Sequence, residues 1–105
     1  MNDKNTKILK TGKLLKCSKY LGNWKMRYVV LTDKYLLTYV ENNLNSECTM
    51  DLELSECFGP KYITIEDNLT FCFIADGKKY LFKAKDEKER DDWFNILQEK
   101  MSKDK

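Results

Sequence analysis

The chain contains one segment of helical period, and it comes last. From Ile8 to Ala84 the apolar residues recur in short alternating runs broken by turn residues, the period of half-buried strands. After Asp86 the period changes. Arg90, Trp93, Ile96, Leu97 and Met101 recur at helical spacing, while Glu87, Lys88, Asp91, Asp92, Gln98 and Glu99 cover the opposite side. Asp86 is a good N-cap, and Glu89, three positions on, completes a capping-box pattern. A helix with one broad apolar stripe must bury that stripe, and the only partner available is a sheet. Trp93 is its natural anchor, as a core residue rather than a ligand-binding aromatic.

The alternating runs predict about seven short strands. Ile8–Lys16, Lys25–Leu31 and Tyr35–Val40 are rich in β-branched and aromatic residues and read as a meander, separated by 17–24 and by the turn Thr32-Asp33-Lys34. Glu41–Ser46 is a loop by composition. Glu47–Leu52 follows as a strand with Cys48, Met50 and Leu52 on one face. Phe58-Gly59-Pro60 breaks the chain, Lys61–Ile65 reads as a short strand, and Leu69–Ala75 and Lys79–Ala84 are joined by the hairpin signal Asp76-Gly77. Strands followed by one helix predict a mainly β fold with one α-helix: a seven-stranded, partly open antiparallel barrel or orthogonal sandwich, capped by the C-terminal helix. At 105 residues with 42% hydrophobic content, there is material for one core. The expected organisation is a polar tail over 1–7, a domain over 8–101 and a second tail over 102–105, in a monomer.

Net charge is +2, but it is unevenly spread. Residues 1–40 carry 9 Lys+Arg against 2 Asp+Glu, a net of +7, and residues 41–105 carry 10 against 15, a net of −5. A chain so polarised is steered toward polyanionic surfaces by its basic part while staying soluble. Strand parity concentrates those cations. Gly12, Leu14 and Lys16 share one face of the first strand, and Lys25, Arg27, Val29 and Leu31 share one face of the second. In an antiparallel hairpin Lys16 therefore lies near Lys25 and Arg27. Like charges opposed across strands cost a few tenths to about 1 kcal/mol per pair, so the arrangement invites an anion. The simpler reading is that each cation snorkels to water over its own stem.

Several functions are disfavoured. Cys17, Cys48, Cys57 and Cys72 contain no C-x-x-C pair, and with no histidine a zinc site would need all four thiolates. No metal and no cofactor is expected. Cys72 lies between Phe71 and Phe73 and reads as buried, whereas Cys17 borders the first loop; reduced thiols in the cytosol fit best. The start, MNDKNTK, is polar, and no apolar run approaches the ~18 residues of a membrane span. Without a histidine, a Ser or Cys beside a base, or paired carboxylates in a Gly-rich setting, an enzyme is not expected. Nucleic-acid binding would call for basic residues interleaved with exposed aromatics along a strand face; Tyr28, Tyr35 and Tyr39 are available, but the acidic second half opposes that reading.

The segments KTGKLLK, NWKMRYVVL, DKYLLTYV, TMDLEL and KKYLFKAKDEKERDDWFNIL, in that order, resemble a pleckstrin homology (PH) domain over roughly Ile8 to Met101. A strand ending in Phe-x-Ala, an acidic helix start and a single helical Trp form the most specific part. The resemblance implies a non-catalytic module that binds phosphoinositide head groups at the open end of a barrel and recruits a cytosolic protein to the membrane periphery. The family's basic motif, Lys at the end of the first strand and Lys/Arg-x-Arg at the start of the second, falls on Lys16, Lys25 and Arg27, with Lys19 adding to it. Arg27 would pair with a phosphate through its planar guanidinium, with the lysines as point charges. Tyr20 and Leu21, at the loop tip, are candidates for membrane insertion, while Trp24 is expected to pack on the rim. Lys13 has the opposite parity. Members selective for 3-phosphorylated lipids commonly carry a Tyr late in the third strand, where this chain has Leu37 or Thr38, and further basic residues near the fourth, where Glu41 and Glu47 flank the loop. Moderate affinity or loose selectivity follows. The rival implied by the same architecture is a protein-interaction module that binds a peptide or partner domain.

Overall fold

The computed structural model describes residues 7–17, 22–41, 46–54, 63–75 and 78–102. Seven strands precede one helix: β1 (Ile8–Cys17), β2 (Trp24–Thr32), β3 (Tyr35–Tyr39), β4 (Cys48–Glu53), β5 (Ile63–Ile65), β6 (Thr70–Ala75), β7 (Lys78–Lys83) and α1 (Glu87–Ser102). Every described pairing is antiparallel, and the strands form one sheet in the order β4-β3-β2-β1-β7-β6-β5. Leu36 and Leu52 from one end of that order share a core with Ile63, Phe71 and Phe73 from the other. The sheet therefore curls on itself without closing, since β4 and β5 are its edges.

The inner face is set by alternation. Leu14, Val29, Leu31, Leu36, Leu52, Phe71, Phe73 and Phe82 are buried, and the rings of Phe71, Phe73 and Phe82 stack along the β6–β7 ladder with centroids 5.6–5.7 Å apart. The helix supplies Trp93 and Leu97 to the same core. Trp93 is fully buried and lies over Gly12 of β1, where a side chain would meet the indole at 3.5 Å. The glycine thus marks a close approach of helix and strand. Helix α1 occupies one end of the barrel, two inward-facing positions of β1 below Lys16.

Local chemistry fixes the helix start. The Asp86 carboxylate accepts the Glu89 N–H at 2.8 Å, as expected of the N-cap, while the Glu89 side chain accepts from Lys85 at 3.2 Å. The return bond reaches one residue further back than the capping box places it. Arg90 stands in the apolar stripe by spacing, but its guanidinium donates to the Asp67 and Asn68 carbonyls at 3.1 and 3.0 Å and to the Asp91 carboxylate. It fastens the β5–β6 turn to the helix.

One expectation needs correction. The common face of Cys48, Met50 and Leu52 is interrupted by a bulge: Thr38 pairs with Met50 but Tyr39 with Cys48, and Cys48 is exposed. The extra residue, Thr49, turns its hydroxyl onto that of Thr38 at 2.7 Å. Cys72 is buried as expected, on the face opposite Phe71 and Phe73 and outside the main core; burial raises its thiol pKa. The break at Phe58-Gly59-Pro60, the turn Asp76-Gly77, Cys57 and residues 1–6 and 103–105 of the tails lie outside the described residues. Lys7 is tied to the β2–β3 turn, its carbonyl accepting the Asp33 N–H at 3.1 Å.

Candidate functional site

Beyond the core, the inner face of β1 and β2 becomes cationic. Leu14 and Val29 close the apolar interior, and Lys16, Lys25 and Arg27, which share their parity, follow toward the end of the barrel away from Trp93. Lys16 and Lys25 are direct cross-strand partners, and Arg27 stands opposite Leu14. The hairpin inferred from sequence is thus formed in the expected register. Lys25 is exposed; Lys16 and Arg27 are half-buried.

Among the described residues, the ion pairs Lys88–Asp92 and Arg90–Asp91 belong to the helix, and neither Lys25 nor Arg27 meets a carboxylate. Arg27 donates one N–H to the Met26 carbonyl at 3.0 Å, which anchors the guanidinium while leaving its other donors for a ligand. Lys16 reaches over the ring of Tyr80, 5.9 Å from its centroid, and Tyr80 in turn stacks on Phe73 at 5.0 Å. Like-charged residues held together on a half-buried face favour a polyvalent anion, which relieves their mutual repulsion through charge-assisted hydrogen bonds.

The third strand contributes packing instead of donors. Leu37 is buried on the outer face, and Thr38 is fully buried on the inner one with its hydroxyl engaged by Thr49. The β3–β4 connection is drawn together by the Val40 N–H on the Glu47 carbonyl at 2.9 Å and the Glu41 N–H on Ser46 at 3.1 Å, leaving Glu41 and Glu47 exposed. Positive charge accordingly enters from β1 and β2, and negative charge flanks β3 and β4.

Sequence reading missed the part played by β7. This strand pairs with β1 through Lys16↔Phe82, so Tyr80 and Lys78, which share the parity of the buried Phe82, extend the same face past Lys16. The alternation Lys78, Tyr80, Phe82, Ala84 was the available signal. Lys13 is exposed with outward parity, as expected. Trp24 is half-buried opposite Cys17, with the Lys83 ammonium 4.6 Å from its ring centroid. Lys19, Tyr20 and Leu21 lie outside the described residues.

Known proteins agree with this architecture. The carboxy-terminal PH domain of pleckstrin in complex with D-myo-Ins(1,2,3,4,5)P5 superposes with a TM-score of 0.76 at 27% identity, covering 91% of this chain and 99% of that one. The Slm1 PH domain in complex with inositol-4-phosphate gives 0.78 at 26% identity, covering 91% and 98%. Among curated proteins, the mouse dual adapter for phosphotyrosine and 3-phosphotyrosine and 3-phosphoinositide is 28% identical over 95 residues, and the human ventricular zone-expressed PH domain-containing protein homolog 1 is 29% identical over 84. These matches cover 90% and 75% of this chain but only 34% and 10% of the respective relatives. The family model for the PH domain matches residues 8–102, and the chain belongs to that family.

Proposed function

We propose that this PH domain is a non-catalytic module that binds phosphoinositide head groups and brings a cytosolic protein to the membrane periphery. The observation that carries the reading is the register of β1 and β2, which sets Lys16 against Lys25 and places Arg27 on the same inward face, opposite Leu14. Arg27 holds one phosphate through its planar fork, and Lys16 and Lys25 bracket neighbouring phosphates as mobile charges. Lys19 adds a further cation, and Tyr20 and Leu21 enter the interfacial zone beside the head groups. Two structural neighbours are complexes with inositol phosphates, which supports a ligand of this class. Among the described residues no helix is long and apolar enough to cross a membrane, and attachment is peripheral in this reading.

Selectivity is loose. With Thr38 buried and Glu41 and Glu47 flanking the β3–β4 side, the described residues of β3 and β4 offer no cation that would discriminate a phosphate there. A panel of vesicles, each carrying one phosphoinositide, provides the test. Wild type is expected to bind several of them, and Lys25→Ala with Arg27→Ala is expected to abolish binding while leaving the thermal midpoint nearly unchanged, because neither side chain contributes to the core. Raising the salt concentration should weaken binding by screening. If wild type ignores every phosphoinositide at low salt, the lipid reading fails and a peptide-binding module takes its place.

A further inference from the structure

The outer face of β1 to β4 has the make-up of a protein contact. Val30 pairs with Leu37 and Tyr28 with Tyr39, all on the outward parity; the two aliphatics are buried although they lie outside the main core, and the two tyrosines are half-buried. Tyrosines around an uncharged aliphatic centre recur at interfaces. The charges stand on opposite flanks. On β1, Lys13 pairs with Tyr28; on β4, the edge of the sheet, Asp51 pairs with Leu37 and Glu53 with Tyr35, and all three charged residues are exposed on the outward parity.

A cationic flank and an acidic flank on either side of an uncharged middle complement a second copy of themselves. Two sheets pack face to face about 10 Å apart, a gap that a lysine and a carboxylate reaching from opposite sides can span. A two-fold axis in the plane of contact can run across the strands or along them. Across the strands, it lays β1 on β1 and β4 on β4, so that Lys13 meets the partner's Lys13 and carboxylates meet carboxylates. Along the strands, between β2 and β3, it lays β1 of one copy on β4 of the other. Tyr28 then faces the partner's Tyr39, Val30 faces the partner's Leu37, and Lys13 comes within one rung of the partner's Asp51, each contact being made twice. The charges select this second arrangement.

We infer that the outer face of β1 to β4 pairs two copies of this chain about an axis parallel to the strands, in place of the monomer expected from sequence. Because the axis runs along the strands, the Lys16, Lys25 and Arg27 ends of both copies point the same way. Those residues have the inward parity and stay out of the contact, so the pair offers two head-group sites to one bilayer. That alignment rests on the phosphoinositide reading, whereas the pairing does not. The contact is small. Four strands about 4.8 Å apart, each giving about five residues at about 3.3 Å, make a face of roughly 20 by 17 Å that buries about 800–1,000 Å² in total, the low end for specific association. The pair is therefore weak in solution and favoured on a membrane, where confinement raises the effective concentration.

Sedimentation equilibrium from about 10 µM to about 1 mM measures the pairing. Wild type is expected to pass from one copy to two across that range. Lys13→Glu and Asp51→Lys, both at exposed positions that leave the core intact, are each expected to weaken association about tenfold, because each sets like charges against each other on both flanks. A one-to-one mixture of the two variants restores opposite charges on both flanks and is expected to recover wild-type association, as is the double variant. On vesicles of phosphatidylcholine, phosphatidylserine and a phosphoinositide, Asp51→Lys is expected to bind several-fold more weakly than wild type despite its added positive charge, with its affinity for soluble inositol phosphate unchanged. Wild type that stays a monomer throughout, single variants that associate like wild type, or a mixture that fails to recover overturns the pairing. Vesicle binding by Asp51→Lys at wild-type strength, with its association lost, overturns the alignment toward one membrane. If wild type pairs but ignores phosphoinositide in both forms, the phosphoinositide reading fails and the pairing stands.

Discussion

Trp93 couples the helix to the barrel, and its replacement separates two opposing terms. The indole is 0% exposed, and burying a Trp removes about 200 Å² of side chain from water, worth about 5 kcal/mol at about 25 cal/mol per Å². Among the described residues its Nε1 has no hydrogen-bond partner, so part of that gain is offset by an unsatisfied donor costing about 1–3 kcal/mol. Trp93→Ala leaves a cavity beneath the helix and should cost about 3–5 kcal/mol. Trp93→Phe should cost only about 1 kcal/mol, because the smaller ring forfeits some packing against Gly12 but removes the orphaned N–H. Urea denaturation of both variants, with slopes compared to wild type, measures the difference. A Trp93→Phe loss equal to that of Trp93→Ala would refute the reasoning, since the indole N–H would then be contributing a bond instead of a penalty.

Three further expectations concern the scaffold. Arg90→Ala should cost about 1–2 kcal/mol in chemical denaturation, since the guanidinium satisfies the Asp67 and Asn68 carbonyls from a largely buried position; Arg90→Lys should recover little, lacking the fork. Gly12→Ala should be neutral or stabilising by up to about 1 kcal/mol, because the new methyl meets Trp93 and Glu89 at an ordinary 3.5 Å and the unfolded chain loses freedom, whereas Gly12→Leu should destabilise. The Asp67 carboxylate has its pKa lowered, foremost by the Leu69 N–H at 3.0 Å and then by Thr70. A pKa lower in the folded state means that this contribution is present above the unfolded value, about 3.9, and is lost as pH falls through the folded one. Thermal midpoints followed from neutral to acid pH should therefore fall less steeply at the acid end for Asp67→Ala than for wild type.

Much of the fold was readable because alternation and burial coincide on the inner face. Leu14, Val29, Leu31 and Phe82 lie where period-two spacing puts them, and Lys16, Lys25 and Arg27 inherit that parity beyond the core. Two features escaped for physical reasons. The β4 bulge depends on one residue, Thr49, finding Thr38 across the ladder, which no local pattern announces. Val30 and Leu37 pair on the outer face and are buried there, although alternation alone assigns that face to solvent; Tyr28, Tyr35 and Tyr39 share it. The contribution of Tyr80 was hidden differently. Its inward parity was legible in the alternation of Lys78, Tyr80 and Phe82, but its place beside Lys16 follows from β7 lying against β1, a contact between distant parts of the chain.

The central claim is that phosphate is held at the inward face of the β1–β2 pair. Amide and side-chain chemical-shift mapping during titration with a soluble inositol phosphate tests it most directly. The account expects the largest changes at Lys16, at Lys25 to Arg27 and at the neighbouring Tyr80, with α1 and the β5 edge undisturbed. Changes concentrated on the helix or on β5, or saturable binding that leaves Lys16, Lys25 and Arg27 unshifted, would contradict it.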